Sequence, residues 1–236
     1  GGYSIQGSKF ALIKSVVPWG SRCSYYIAIH DSHLFVLEAQ NQEAEDQNNL
    51  GRDPRDRISG EAKILDKLPT ALDNDSLLYL GALVRSIQIG GASAAALDLA
   101  VKYASDREQF GRSLAKFQAI QHHLADLAGL VASVDAIAIA ACARLDRSGI
   151  TDNQRNARFE IAAAKCRASE AVEKITRLSH QIHGAIGFTY EYGLHFLTRR
   201  MWAWRTEYGG VAYWGVELGK LAVEQGGDEI WPIITA

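Results

Sequence analysis

Cysteine is scarce in this chain: Cys23, Cys142 and Cys166 are the only three in 236 residues, far apart and with no CxxC pair. So odd and sparse a set excludes a disulfide framework and reads as reduced, packed thiols in a reducing compartment. Net charge is nearly absent as well. At −2 there is no polyelectrolyte signal, which sets aside nucleic acid and anionic membrane surfaces as general partners. Arg85, Asp98, Asp126 and Asp135 break the apolar helices before the ~20 apolar residues of a bilayer span accumulate, so no membrane crossing is expected. No signal peptide is visible. The expected location is cytoplasmic, with the mitochondrial matrix kept open because the chain opens on GGYSIQG, which reads as the middle of a β-region. Internal repeats and low-complexity tracts are missing.

What is present is an ordinary globular composition, 47% hydrophobic and 22% charged, enough to bury a substantial core. The first forty residues are rich in β-branched and aromatic types and read as strands, with a turn at Asp31-Ser32. Residues 41–60, NQEAEDQNNLGRDPRDRISG, are polar and carry Gly51 and Pro54, which predicts a surface loop. EAKILDKL adds a strand before Pro69. From Leu72 the pattern turns helical. Asp73 to Ser76 offer N-cap chemistry, a second helix spans about Ala115 to Arg147 and stops at Ser148-Gly149, and Thr151-Asp152 caps a third. Gly184 and Gly187 interrupt that third helix, and a last one covers about Thr198 to Glu224. The fold expected is mainly α: an antiparallel four-helix bundle over 71–236, preceded by a partial β-domain over 1–70.

Two stretches carry a mixture that packing alone does not call for. DREQFGRSLAKFQAIQHHLADLA, from Asp106 to Ala128, combines a guanidinium (Arg107), amides (Gln109, Gln118), ring faces (Phe110, Phe117) and a glycine that frees the backbone (Gly111). These are the parts of a phosphate or dinucleotide site. They are also the parts of a plain helical corner with Phe110 and Phe117 in the core. QIHGAIGFTYEYGLHFLTRRMWAWRTEYGG, from Gln181 to Gly210, puts an amide before two glycines that permit close backbone approach. The alternative there is a helix stop followed by a core of Phe188, Tyr190 and tryptophans. The pairs His122-His123 and His180/His183 lack a suitably spaced third ligand, so no metal site is expected.

Together the two stretches resemble the acyl-CoA dehydrogenases. The first is similar to their RxxFGxxxxxFQxxxxxxAD signature, the second to QxxGGxGFxxExxxxxxxRD, and GGYSIQGSKFAL is similar to the G-x-x-L-x-G-x-K opening of their flavin-facing strands. The resemblance covers residues 1–40 and 76–225. It implies an FAD-dependent α,β-desaturation of an acyl-CoA thioester, in which a glutamate removes the α proton while the β hydrogen leaves as hydride to the flavin. It also implies a dimer or tetramer of self or homologous subunits, with FAD at subunit interfaces, and electron-transfer flavoprotein as the electron acceptor. Carried over residue by residue, Arg107, Gln109, Phe110, Phe117 and Gln118 would contact a neighbour's FAD, and Gln181 and Gly184 would lie along its adenosine end.

The chain departs from the family pattern where the chemistry sits. The usual base belongs to a Y-E-G-T motif, and ungapped alignment puts Tyr208 at that glutamate and Gly210 at the threonine. Glu207 falls one residue early. A smaller group carries its glutamate on the first bundle helix, where the corresponding residue is near Gly81. The W-x-T that faces the flavin ring aligns with Ala11 to Ile13, and the second glycine of Q-x-x-G-G is Ala185. Two readings stay open: an acyl-CoA dehydrogenase with Glu207 as catalytic base, or a non-catalytic subunit that completes the FAD site of a homologous partner.

Overall fold

The computed structural model of the 236-residue chain describes residues 2–7, 9–40, 42–151, 157–226, 228 and 231–232. The chain separates into two compact units, Gly1–Leu77 and Leu78–Ala236.

The first unit is an antiparallel sheet of β1 (Gly2–Gln6), β2 (Lys9–Pro18), β3 (Tyr25–His30), β4 (His33–Glu38), β5 (Glu43–Glu45) and β6 (Arg55–Pro69), in the order β1-β2-β6-β4-β3 with β5 also on β6. The β3–β4 hairpin turns at Asp31 and Ser32, with φ of 46° and 57°. Two successive left-handed residues match the twist of a tight hairpin. Phe10, Tyr26, Phe35, Leu37, Ile58 and Ala62 form the core. The expectation of a polar loop at 41–60 is corrected here. β5 and the first part of β6 come from that stretch, and Arg55, Asp56 and Ile58 are buried. Polar composition misled because these polar groups are satisfied inside. The Asp56 carboxylate accepts the Ser21 amide at 2.8 Å and its hydroxyl at 2.7 Å. Those bonds, the backbone one first, hold its pKa below the usual carboxylate value.

The second unit is helical: α1 (Ser76–Asp106), α2 (Gln118–Ser148), α3 (Arg158–His183), α4 (Leu194–Trp204) and α5 (Val211–Gln225). On α1, Ala92, Ala96, Ala100 and Ala104 recur every fourth residue and are buried. They meet Leu127 and Val131 of α2, a ladder from Ala168 to Ile182 on α3, and Leu194 and Met201 of α4. A ridge of alanines lets helix axes approach closely. Gly149 (φ 65°) ends α2 and Gly184 (φ 64°) ends α3, the left-handed stop that glycine adopts without a Cβ penalty.

Three boundaries differ from expectation. The second helix starts at Gln118, after a short turn at Leu114–Lys116 where Ser113 Oγ accepts the Ala115 amide and donates to the Ala104 carbonyl. The third starts at Arg158, and the expected cap residue Asp152 lies outside the described residues. The last helix is two, α4 and α5, split at Arg205–Gly210, so the bundle's fourth member is a broken one. The membrane reading is corrected as well: α1 and α2 are each long and apolar enough, by length and composition alone, to cross a bilayer. Half of the apolar segment of α1 is buried in the bundle core, and long core helices of bundles share that composition.

Candidate functional site

Between α1 and α2 the chain makes a miniature hairpin, β7 (Glu108–Gln109) against β8 (Arg112–Ser113). Its tip is Phe110-Gly111, with φ of 52° and 76°, the geometry of a two-residue hairpin turn. α1 ends at Asp106, and no helix could run through Phe110-Gly111, because both tip residues are left-handed, which an α-helix cannot contain. Phe110 is 90% exposed, so it does not enter the core. Its ring meets Phe117 edge-on at 6.3 Å, and the Arg112 guanidinium lies 4.1 Å from the Phe117 ring centre. Arg107, Gln109 and Gln118 are exposed. The result is a projecting lobe of rings, amides and guanidinium groups, all available to something outside this chain.

Gln181 and Gly184 lie elsewhere, in a cleft of about 870 Å³ between α3, α4 and the turn that follows α3; none of the hairpin residues lines it. The same cleft holds Phe188, Tyr190, Trp202, Arg177, Arg199 and two histidines, His180 and His195. Phe188 and Tyr190 are both 68% exposed, contrary to a core role. His180 Nε2 pairs with Thr198 Oγ1 at 2.9 Å and His195 Nδ1 with the Tyr192 carbonyl at 3.2 Å. Their other ring nitrogens, His180 Nδ1 and His195 Nε2, are buried with no hydrogen-bond partner among the described residues. Burial first, then the neighbouring His183 and His195, lower the pKa of His180. Among the described residues no group of three or more His, Cys, Asp or Glu is placed to hold a metal ion. Exposed ring faces and guanidinium groups in one cleft suit a nucleotide, offering surfaces for a flat ring and charge for phosphate. The donor set therefore fits the adenosine diphosphate part of a dinucleotide.

The third element is the turn that breaks the last helix. α4 stops at Trp204 because Tyr208 and Gly209 adopt φ of 55° and 89°. The Tyr208 ring fills the space beside Gly81 so closely that a Cβ at Gly81 would lie 2.4 Å from it. Glu207 points to Arg85 of α1, with its Oε2 2.7 Å from Nε and the two side chains only 17% and 10% exposed. The Arg85 guanidinium also sits 5.6 Å from the Trp204 ring centre and 5.8 Å from that of Tyr208. The Trp214 indole donates to the Tyr208 carbonyl at 2.9 Å. Gly81 thus faces Tyr208 directly, and the one carboxylate of the turn is held in an ion pair. Gly81→Ala is expected to cost about 1–3 kcal/mol through overpacking. Tyr208→Ala in the same chain should recover part of it, as read by thermal unfolding followed through helical circular dichroism.

Sequence reading did not single out Lys165, Ser169 or Trp214, and used Arg85 only as a break in an apolar run. The signal for Lys165 was there. In IAAAKCRAS the lysine sits four residues after Ile161 and four before Ser169, on the buried phase of its helix.

Residues 75–210 match the family model described as "Acyl-CoA dehydrogenase, C-terminal domain". The chain is 36% identical over 128 residues to acyl-CoA dehydrogenase IpdE2 of Mycolicibacterium smegmatis, which is 54% of this chain and 38% of that protein. It is 36% identical over 122 residues, 52% of this chain and 31% of that protein, to the caffeyl-CoA reductase-Etf complex subunit CarC of Acetobacterium woodii. The matched region thus spans about a third of the length of these curated relatives. Among solved structures, glutaryl-CoA dehydrogenase from Mycobacterium smegmatis superposes with a TM-score of 0.75 at 20% identity, covering 93% of this chain and 59% of that one. The ChsE4-ChsE5 complex from Mycobacterium tuberculosis does so at 0.77 and 20% identity, covering 95% and 63%. At such identities the superpositions establish the fold.

Proposed function

Because this chain belongs to the acyl-CoA dehydrogenase family, a family of oxidoreductases, we propose that it serves as a subunit that completes the FAD site of a homologous partner and does not itself abstract the substrate proton. The observation that carries this reading is the turn at Arg205–Gly210. The residue aligned with the family's base is Tyr208, packed onto Gly81, near which the resemblance puts the alternative base position. Glu207 is committed to Arg85. A general base has to reach the α carbon of the substrate with its carboxylate, and the Glu207 carboxylate is turned onto the Arg85 guanidinium at 2.7 Å.

What the chain keeps is the apparatus for the far end of a dinucleotide. Arg107 would neutralise the pyrophosphate, Phe110 and Phe117 would offer ring faces, and Gln109 and Gln118 would donate or accept through their amides. Gln181 and Gly184 would line the adenosine end, in the cleft shared with the exposed rings of Phe188 and Tyr190. FAD, when bound, supplies the hydride acceptor for desaturation of an acyl-CoA thioester. In this proposal the proton-abstracting glutamate comes from the partner. The projecting hairpin supports an oligomeric site, since the Phe110 ring at its left-handed turn touches Phe117 by an edge only and is left 90% exposed. Electron-transfer flavoprotein as electron acceptor belongs to the same proposal, and CarC is a relative named as a subunit of an Etf complex.

The test is a reconstituted complex of the full chain with a homologous acyl-CoA dehydrogenase subunit. Arg107→Ala is expected to lower FAD occupancy about 10-fold, the loss of one charge-assisted phosphate contact, read from the flavin absorption band. Glu207→Gln should leave turnover by the folded complex unchanged. Abolished turnover with the flavin still bound would overturn the proposal and make Glu207 the base.

A further inference from the structure

The turn that carries Tyr208 and Glu207 is held from beneath by a residue outside both signature stretches. Lys165 lies in the middle of α3 and is fully buried. Its Nζ is 2.9 Å from Ser169 Oγ, 3.1 Å from the Trp204 carbonyl, 2.9 Å from the Arg205 carbonyl and 2.9 Å from the Gly209 carbonyl. Ser169 Oγ in turn donates to the Arg205 carbonyl at 3.0 Å. The last carbonyls of a helix have no partner within it, and α4 ends here. Lys165 therefore satisfies the end of α4 and the far side of the turn at once, drawing both onto α3.

We propose that Lys165 is the positioning residue of the Arg205–Gly210 turn: its side-chain amino group, with Ser169 as relay, sets the conformation that puts Tyr208 on Gly81 and Glu207 on Arg85. Three oxygens converging from two sides of a six-residue turn leave that turn little freedom while the bonds hold. Nothing else among the described contacts reaches both the Arg205 and the Gly209 carbonyls.

The burial of this amine also predicts a proton linkage. Burial, the largest influence, lowers the Lys165 pKa from 10.5 to about 8; Glu207 in the turn and Cys166 beside it on α3 push it up, and Arg85 from α1 pushes it down. With the turn open and the amine in water the ordinary value returns. The closed form thus has the lower pKa, so closure gains as pH rises from about 8 toward 10.5, because the open form keeps its proton longer. Tightening with alkali is the opposite of what loss of an ordinary surface ion pair gives.

Hydrogen exchange on the full chain, corrected for intrinsic rates, tests this without flavin or partner, so its outcome is separable from that of the proposed function. Lys165→Met keeps the volume and removes the donors. It is expected to speed exchange of the 206–210 amides about 10–100-fold at pH 7.5, the range for hydrogen bonds from a charged donor, with the middle of α2 unaffected. Ser169→Ala should give a smaller, roughly 3–10-fold increase. In the wild type, protection of the turn should rise between pH 7.5 and 9.5, and that rise should be missing in Lys165→Met. If Lys165→Met does not fold, Ser169→Ala and the wild-type pH profile decide the matter. Unchanged turn protection in the folded variants, or a wild-type profile that is flat or falls with pH, would overturn the assignment.

Discussion

Arg85→Ala is expected to lower the stability of the helical unit by about 3–5 kcal/mol, the usual result of removing one partner from a mostly buried ion pair. The cost comes less from the lost attraction than from what remains. Glu207 stays behind in a site that leaves it only 17% exposed, and a carboxylate without its counter-charge is expensive to keep out of water. Trp204 and Tyr208 lose the cation between their rings, a smaller effect of about 0.5–2 kcal/mol each. Arg85→Met combined with Glu207→Leu should recover most of the loss, because replacing both partners by apolar groups leaves no orphan charge. Denaturant unfolding followed by the helical circular dichroism signal reads all three chains. If Arg85→Ala alone costs under about 1 kcal/mol, the range of an exposed pair, the pair is not the anchor described here.

Trp214→Ala should rival it, at about 3–5 kcal/mol. Trp214 is the largest fully buried side chain and joins three things at once. Its ring meets Tyr79 of α1 edge-on at 4.9 Å and Tyr213 at 5.0 Å, and its indole N–H holds the Tyr208 carbonyl. Gly209 is shaped around it, since a Cβ there would lie 2.6 Å from the indole nitrogen. Trp214→Phe separates the contributions. It keeps most of the apolar bulk and removes the donor, so the part due to the hydrogen bond, about 1 kcal/mol, should appear as extra mobility of the turn. If the alanine variant unfolds at the wild-type denaturant midpoint, that packing description fails.

How much of this was legible beforehand follows from which forces act locally. The bundle was legible because alanine and leucine repeat at helical spacing over long runs, and the hairpin at Asp31-Ser32 because two short polar residues between β-branched runs leave few alternatives. The strand that starts at Arg55 was not. Its buried Asp56 owes its place to Ser21, thirty-five residues away, and composition does not report such partners. The break in the last helix was hidden for a related reason. TEYGG permits a helix end without demanding one, and what settles it is Lys165, forty residues earlier, donating to the carbonyls on both sides of the break. In the site, the hairpin and cleft residues could be nominated from their chemistry. The pairing of Glu207 with Arg85 depends on the phase between two distant helices, which no local pattern records.

The contact between Gly81 and Tyr208 has a consequence for how this chain could change. On the proposed reading, the position aligned with the family's base, Tyr208, and the neighbourhood of its alternative base, near Gly81, are here one interface, and each residue sets the size of the other. A glutamate restored at 81 would bring its Cβ into the tyrosine ring. A glutamate restored at 208 would give up the ring that fills the space over Gly81 and would arrive next to Glu207, whose counter-charge is already engaged. Every one-step route back to a carboxylate therefore passes through a less stable intermediate, and only paired changes avoid it. The packing acts as a ratchet: a chain that has reached this arrangement is held in it by its own fit, whether or not selection still acts on its chemistry.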